Sequence, residues 1–294
     1  MLAQAAFSWN PVTDWQALTS QEFMRNALLA GTVAAVLCSV VGTFVVLRGL
    51  TFAADALTHV GFAGASGAVL FGFPPVAGLL TLTLVVAAAI GALEERLRGR
   101  DVVIGMILVG ALGLGVLLLR LSAGYSNETY ALLFGDILAL SARDLVILGA
   151  AAGVALTATI AVFRPLLFAT IDEEVAESRG IPVRALSIGF MLIVGVAATA
   201  ATQVVGALLA VALIVAPAAA AQRLTDRPGA AVALAIVLGL AVTWAGLVLG
   251  YWLPYPVSFF ITSLAAVVYA LCRVISSRSV TARRRDVVEA AAAA

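Results

Sequence analysis

Two ionisable side chains interrupt an otherwise apolar run, TFAADALTHVGFAGASGAVLFG, that begins at Thr51. Asp55 and His59 stand four residues apart, which puts both on one face of a helix about 6 Å from each other along its axis. A carboxylate in hydrocarbon costs several kcal/mol, so the pair must face a bundle interior or a wet cavity. Imidazole and carboxylate together suit Zn²⁺, Mn²⁺ or Fe²⁺. His59 is the only histidine in the chain, so a closed four-ligand zinc site cannot be assembled within it. That suits a cation in transit, which must bind weakly enough to be released. The same two residues equally make a structural pair, with the imidazole hydrogen-bonded to Asp55 or to a neighbouring helix.

A third candidate is Asp136, in ALLFGDILALS. An acid there either draws in a cation or docks a delivery protein, or it simply caps a helix end. The segment is apolar, too short to cross a membrane and broken at Gly135-Asp136, and it reads as a short helix lying at or dipping into the membrane surface. A fourth feature is IDEEVAESRGIPV, residues 171–183, the one long charged run flanked on both sides by membrane-length apolar segments. Asp172, Glu173 and Glu174 sit at the dipole-positive start of a short exposed helix that continues through Ala176 and is stopped by Gly180 before Pro182. It is either a contact surface for something outside the bilayer or a solvated loop between two spans.

The elements that must hold these groups are hydrophobic helices. The 294 residues are 63% hydrophobic and 11% charged, with a mean hydropathy of +1.12, far from the composition of a soluble domain. A span needs about 20 apolar residues, and the pattern gives an all-α polytopic transmembrane bundle of about nine spans: roughly 26–47, 51–73, 76–93, 102–121, 145–163, 185–201, 203–221, 230–249 and 257–273. Pro74-Pro75 and Arg164-Pro165 are expected to end the second and fifth, and Pro217 to kink the seventh. Residues 1–24 read as an interfacial lead-in with no cleavable signal, because Met1–Phe7 lacks a basic region. Residues 25–273 form the transmembrane domain and residues 274–294 a cytoplasmic tail.

All 17 basic residues are arginine. With nine alternating spans and the carboxyl terminus inside, 14 arginines fall on the cytoplasmic side and only Arg25, Arg120 and Arg143 outside. That bias favours amino terminus out and carboxyl terminus in, which puts residues 172–183 in the cytoplasm and Asp136 on the outer side. A chain without lysine has no phosphate-binding Walker lysine, so it does not hydrolyse ATP itself. No G-x-S-x-G or HExxH points to a hydrolase, and no basic stripe interleaved with aromatics points to nucleic acid. Cys38 and Cys272 lie in apolar segments as packed small side chains.

Four stretches carry a family resemblance. VVGTFVVLRGLTFAADALTHVGFAGASGAVLFG resembles the ABC-3 permeases, the membrane subunits of bacterial zinc, manganese and iron importers, where a span ends at an arginine and the next carries an acid and a histidine one turn apart. YALLFGDILALSARDL resembles their outer segment, LLFATIDEEVAESRGIPVRAL their cytoplasmic coupling segment, and TQVVGALLAVALIVAPAAAAQRL a later span. The resemblance implies a type II importer-like fold in the bacterial cytoplasmic membrane. It also implies a permease dimer with the pathway between its copies, an extracytoplasmic metal-binding protein and separate ATP-binding-cassette subunits. No cofactor is held permanently, and Zn²⁺ or Mn²⁺ is the transported substrate. Carried over, Asp55, His59 and Asp136 are pathway residues, and Asp172, Glu173, Glu174, Ala176 and Gly180, within about 172–181, form the helix that couples to the ATPase. The alternatives are a siderophore or cobalamin permease of similar architecture, a gradient-driven transporter, and a membrane scaffold that transports nothing.

Overall fold

The computed structural model describes residues 20–93, 99–122, 135, 137 and 140–292, with side chains as far as residue 276. Asp136 lies outside the described residues. Among the described residues ten helices follow one another: α1 Glu22–Leu47, α2 Thr51–Leu70, α3 Pro75–Leu93, α4 Arg100–Leu121, α5 Ala142–Ile171, α6 Glu173–Ser178, α7 Val183–Val205, α8 Ala210–Leu224, α9 Pro228–Trp252 and α10 Val257–Ala292. Seven are both long and apolar enough to cross a membrane: α1, α3, α4, α5, α7, α9 and the Val257–Ser276 part of α10. That is two fewer than the nine expected: the second and seventh expected spans fall on α2, whose Asp55, Thr58 and His59 dilute its hydropathy, and on α8, which has only 15 residues.

Three boundaries differ from the sequence reading. Pro165 does not end α5, which runs on to Ile171. The proline removes one backbone donor, but the next turn is held by Leu166 and Ala169, both buried, so tertiary packing outweighs the local break. The sixth and seventh spans divide at Gly206, after α7 has run through Val205, and not near residue 202. The last helix continues beyond Arg273 through Ala292.

The bundle is sorted by burial. Helices α1 and α7 are its centre: 72% of the spanning window of each is buried, against 17% for α4 and 22% for α5, which are uncovered on most of their circumference. α1 packs on α5, α7, α8 and α9, while α2 packs on α3, α4 and α7. Without a hydrophobic force between helices in lipid, close approach depends on small residues. At the α2–α3 crossing, Gly64 faces Gly78 so tightly that a Cβ on either would overlap the other's carbonyl. At the α1–α8 crossing, Gly42 meets the Ile214 carbonyl in the same way.

The turn from α1 into α2 places the candidate site. Arg48 caps α1, Gly49 takes φ 66°, and the amides of Gly49 and Leu50 bond back to Val46 O (3.2 Å) and Val45 O (2.8 Å). This pair of bonds is a Schellman motif, and the positive φ is what glycine supplies there. Leu50 is fully buried, and α2 starts at once, its Ala54 amide bonding to Leu50 O at 2.9 Å.

Candidate functional site

Asp55 and His59 lie one turn apart on α2, as their spacing predicts. His59 Nε2 stands 3.8 Å from Asp55 Oδ1, with the side chains 10% and 30% exposed. That distance is too long for a direct hydrogen bond. It is short enough for one cation, at about 2.0–2.2 Å from each donor atom, to bridge them. The other ring nitrogen, Nδ1, is buried and has no hydrogen-bond partner. Among the described residues, then, no hydrogen bond joins the imidazole to Asp55 or satisfies Nδ1. Among the described residues no third His, Cys, Asp or Glu joins the two into a larger ligand cluster. A two-donor site of this kind has coordination positions left over for water, a backbone oxygen or a second protein surface.

Thr58 is a residue the sequence reading missed. Its hydroxyl shares its hydrogen between Asp55 O at 2.7 Å and Ala207 O at 3.2 Å. The second contact joins α2 to the break between α7 and α8, and Ala207 also packs with Phe62 of α2 and Leu119 of α4. The available signal was three polar groups, Asp55, Thr58 and His59, within one turn of an apolar helix.

Gly135, next to Asp136 in the chain, comes to the same break. Gly135 has φ 76°, and a Cβ there would stand 2.5 Å from Gly206 N and 2.7 Å from Val205 C. Ile137 is 2% exposed and belongs to the main core, near Gly31 of α1. Gly135 and Ile137 therefore lie within the bundle, and Gly135 rests on the α7–α8 break, whose Ala207 carbonyl meets the hydroxyl beside the Asp55–His59 pair.

At the other end of α5, Asp172 both ends that helix and caps α6, its Oδ1 accepting from the Val175 amide at 3.0 Å. Glu173 and Glu174 are exposed in the first turn of this six-residue helix, complementing its N-terminal dipole. The helix is closed by a second Schellman pair, Gly180 N to Glu177 O (2.9 Å) and Ile181 N to Ala176 O (3.1 Å). Ala176 is the one buried residue of α6 and packs with Ala169 of α5 and Val183 of α7, while the Arg179 guanidinium stands 5.7 Å from the centre of the Phe168 ring. The acids thus face outward from a helix pinned to two spans.

A half-buried carboxylate one turn from a buried imidazole in a multi-pass helical bundle, with an exposed acidic helix held between two long helices, fits an importer-type membrane permease. The chain belongs to the ABC 3 transport family, whose model matches residues 20–276. It is 34% identical over 232 residues to the manganese transport system membrane protein MntC of Halalkalibacterium halodurans, covering 78% of this chain and 79% of that one. It is 29% identical over 229 residues to the high-affinity zinc uptake system membrane protein ZnuB of Haemophilus influenzae, covering 78% and 88%. The solved structure of PsaBC from Streptococcus pneumoniae in complex with Fab matches with a TM-score of 0.80 at 26% identity, covering 89% of this chain and 94% of that one. The helical permease fold expected from the sequence is the fold observed.

Proposed function

We propose that this chain is the permease subunit of an ATP-binding-cassette importer that moves a divalent transition metal, manganese or zinc, with iron also within reach of the same donors, across the bacterial cytoplasmic membrane. The single observation that carries this reading is the Asp55–His59 pair: an oxygen and a nitrogen donor 3.8 Å apart on one helix, with the imidazole Nδ1 buried and unmatched by a hydrogen bond among the described residues. Borderline cations favour such a mixed set. The similar proteins described as manganese and zinc transport membrane proteins support the same substrate class.

In this reading the amino terminus is outside and the carboxyl terminus inside, as the arginine distribution favours. An extracytoplasmic metal-binding protein delivers the ion on the side of Asp136, which marks the outer mouth. The ion passes to Asp55 and His59 and leaves toward the cytoplasm. Two permease copies face each other, and each supplies a pair to the pathway. Asp172, Glu173 and Glu174 meet a separate ATPase subunit, with Ala176 and the Gly180 turn holding that helix to α5 and α7. Closure of the ATPases then reaches the spans as a rigid displacement of packed helices.

The reading is tested by metal uptake in cells that make the Asp55→Ala, His59→Ala double variant at normal levels. Uptake should fall to the level of a strain lacking the permease. Uptake of manganese and zinc at the normal rate would leave the pair without a role in the pathway.

A further inference from the structure

One side chain bridges the helix that carries the pair and the segment that carries α6. Arg48, at the end of α1, donates from Nη2 to Ser187 Oγ at 3.0 Å, and its guanidinium stands 5.6 Å from the centre of the Phe190 ring. Both partners lie in the first two turns of α7, directly after α6 and its Gly180 turn. The Phe190 ring meets Phe44 of α1 edge-on at 6.0 Å, and Phe44 meets Phe163 of α5 at 5.2 Å. One guanidinium and three rings therefore tie α1 to the stems of the two helices between which α6 is clamped. On its other side Arg48 leads through the Gly49-Leu50 turn into α2, seven residues before Asp55.

The bridge is only half satisfied. Arg48 Nη1 is buried and makes no hydrogen bond. Leaving one arm of a guanidinium unmatched in low dielectric is costly, and an orphaned group of this kind calls for a physical account. The sequence reading gave Arg48 a share in the cytoplasmic charge bias and the end of the first span in the motif that resembles the ABC-3 permeases, but no contact with another helix. A charge anchor needs the headgroup region or water, not a hydroxyl and an aromatic face on another helix.

We propose that Arg48 is the positioning residue that ties the Asp55–His59 pair to the Asp172–Val183 segment, so that displacement of α6 and the start of α7 is passed through the Arg48–Ser187–Phe190 contact to α2. The inference rests on the reading above, that α6 docks an ATPase and that the pair handles the metal.

The test uses the complete permease–ATPase complex in proteoliposomes with its metal-binding protein, and compares wild type with Arg48→Ala, Arg48→Lys and Ser187→Ala. ATP hydrolysis and manganese uptake are read in the same vesicles. Arg48→Ala should keep hydrolysis and lose transport, raising the ATP consumed per ion by about tenfold, within the usual range for coupling between two sites. Ser187→Ala should move the ratio the same way by a smaller factor without lowering the melting temperature, and Arg48→Lys, which keeps a donor but not the planar face, should fall between. An unchanged ratio in both Arg48→Ala and Ser187→Ala overturns the proposal. So does a parallel fall of hydrolysis and transport with a lowered melting temperature in Arg48→Ala while Ser187→Ala is normal, since that marks a structural anchor only. A wild-type complex that moves no metal would sink the transport reading itself, a result distinct from either.

Discussion

Thr58 stands one residue before His59 and reaches the carbonyl of Ala207, 149 residues further along the chain, at 3.2 Å. Through this bond the helix holding the Asp55–His59 pair is fastened to the interruption between α7 and α8, and Gly135 packs against the same interruption. Three segments that the sequence presents separately thus converge within one turn of the candidate ligands.

Thr58→Val keeps the shape and removes the hydroxyl. It leaves the buried Ala207 carbonyl without this donor, which costs about 1–3 kcal/mol. The purified protein should melt at a lower temperature, and metal uptake should fall by more than the loss of folded protein explains. Thr58→Ser, which restores the hydroxyl, should recover most of both.

Gly135→Ala should be harmful for two reasons that add. The residue occupies positive φ, a conformation costing an L-residue roughly 1–2 kcal/mol, and a Cβ would press on the backbone of Val205 and Gly206, which cannot move aside as a side chain end can. Expected results are a lower melting temperature and reduced uptake. Gly149→Ala, on the open side of α5 with nothing near its Cβ, is the control and should leave both within error.

Glu173→Arg with Glu174→Arg should leave the permease folded, because both side chains are exposed and α6 is held by Ala176 and the caps around it. Reversing two charges on a docking surface typically costs several kcal/mol of association. The ATPase subunit should no longer co-purify, although membrane levels of the permease are unchanged. Continued co-purification at the normal ratio would detach α6 from the coupling role.

The sequence made the spans legible where hydrophobic length and arginine punctuation agree, as in α1, α3, α4 and α9. It also made legible the Asp55–His59 spacing and the short acidic helix, because these depend on helical period and capping, which are local. Pro165 misled, since a local break was outweighed by burial of Leu166 and Ala169. The end of α7 was misplaced because VVGALLAVALIV is uniformly apolar and carries no charge to mark where the chain turns. Thr58 and Arg48 were missed for a different reason. Their importance lies in contacts with Ala207, Ser187 and Phe190, more than a hundred residues away, and no spacing within the chain encodes them.

The most direct test of the central claim uses the permease–ATPase complex prepared without histidine tags and without its delivery protein, loaded with Mn²⁺ and studied by pulsed electron paramagnetic resonance. His59 is the only histidine of this chain, so substitution identifies the source of any imidazole signal. The expected result is a directly coordinated nitrogen that disappears in His59→Ala, with Mn²⁺ bound more weakly in Asp55→Asn. A nitrogen signal that survives His59→Ala, or bound Mn²⁺ with no nitrogen in its shell, would contradict it.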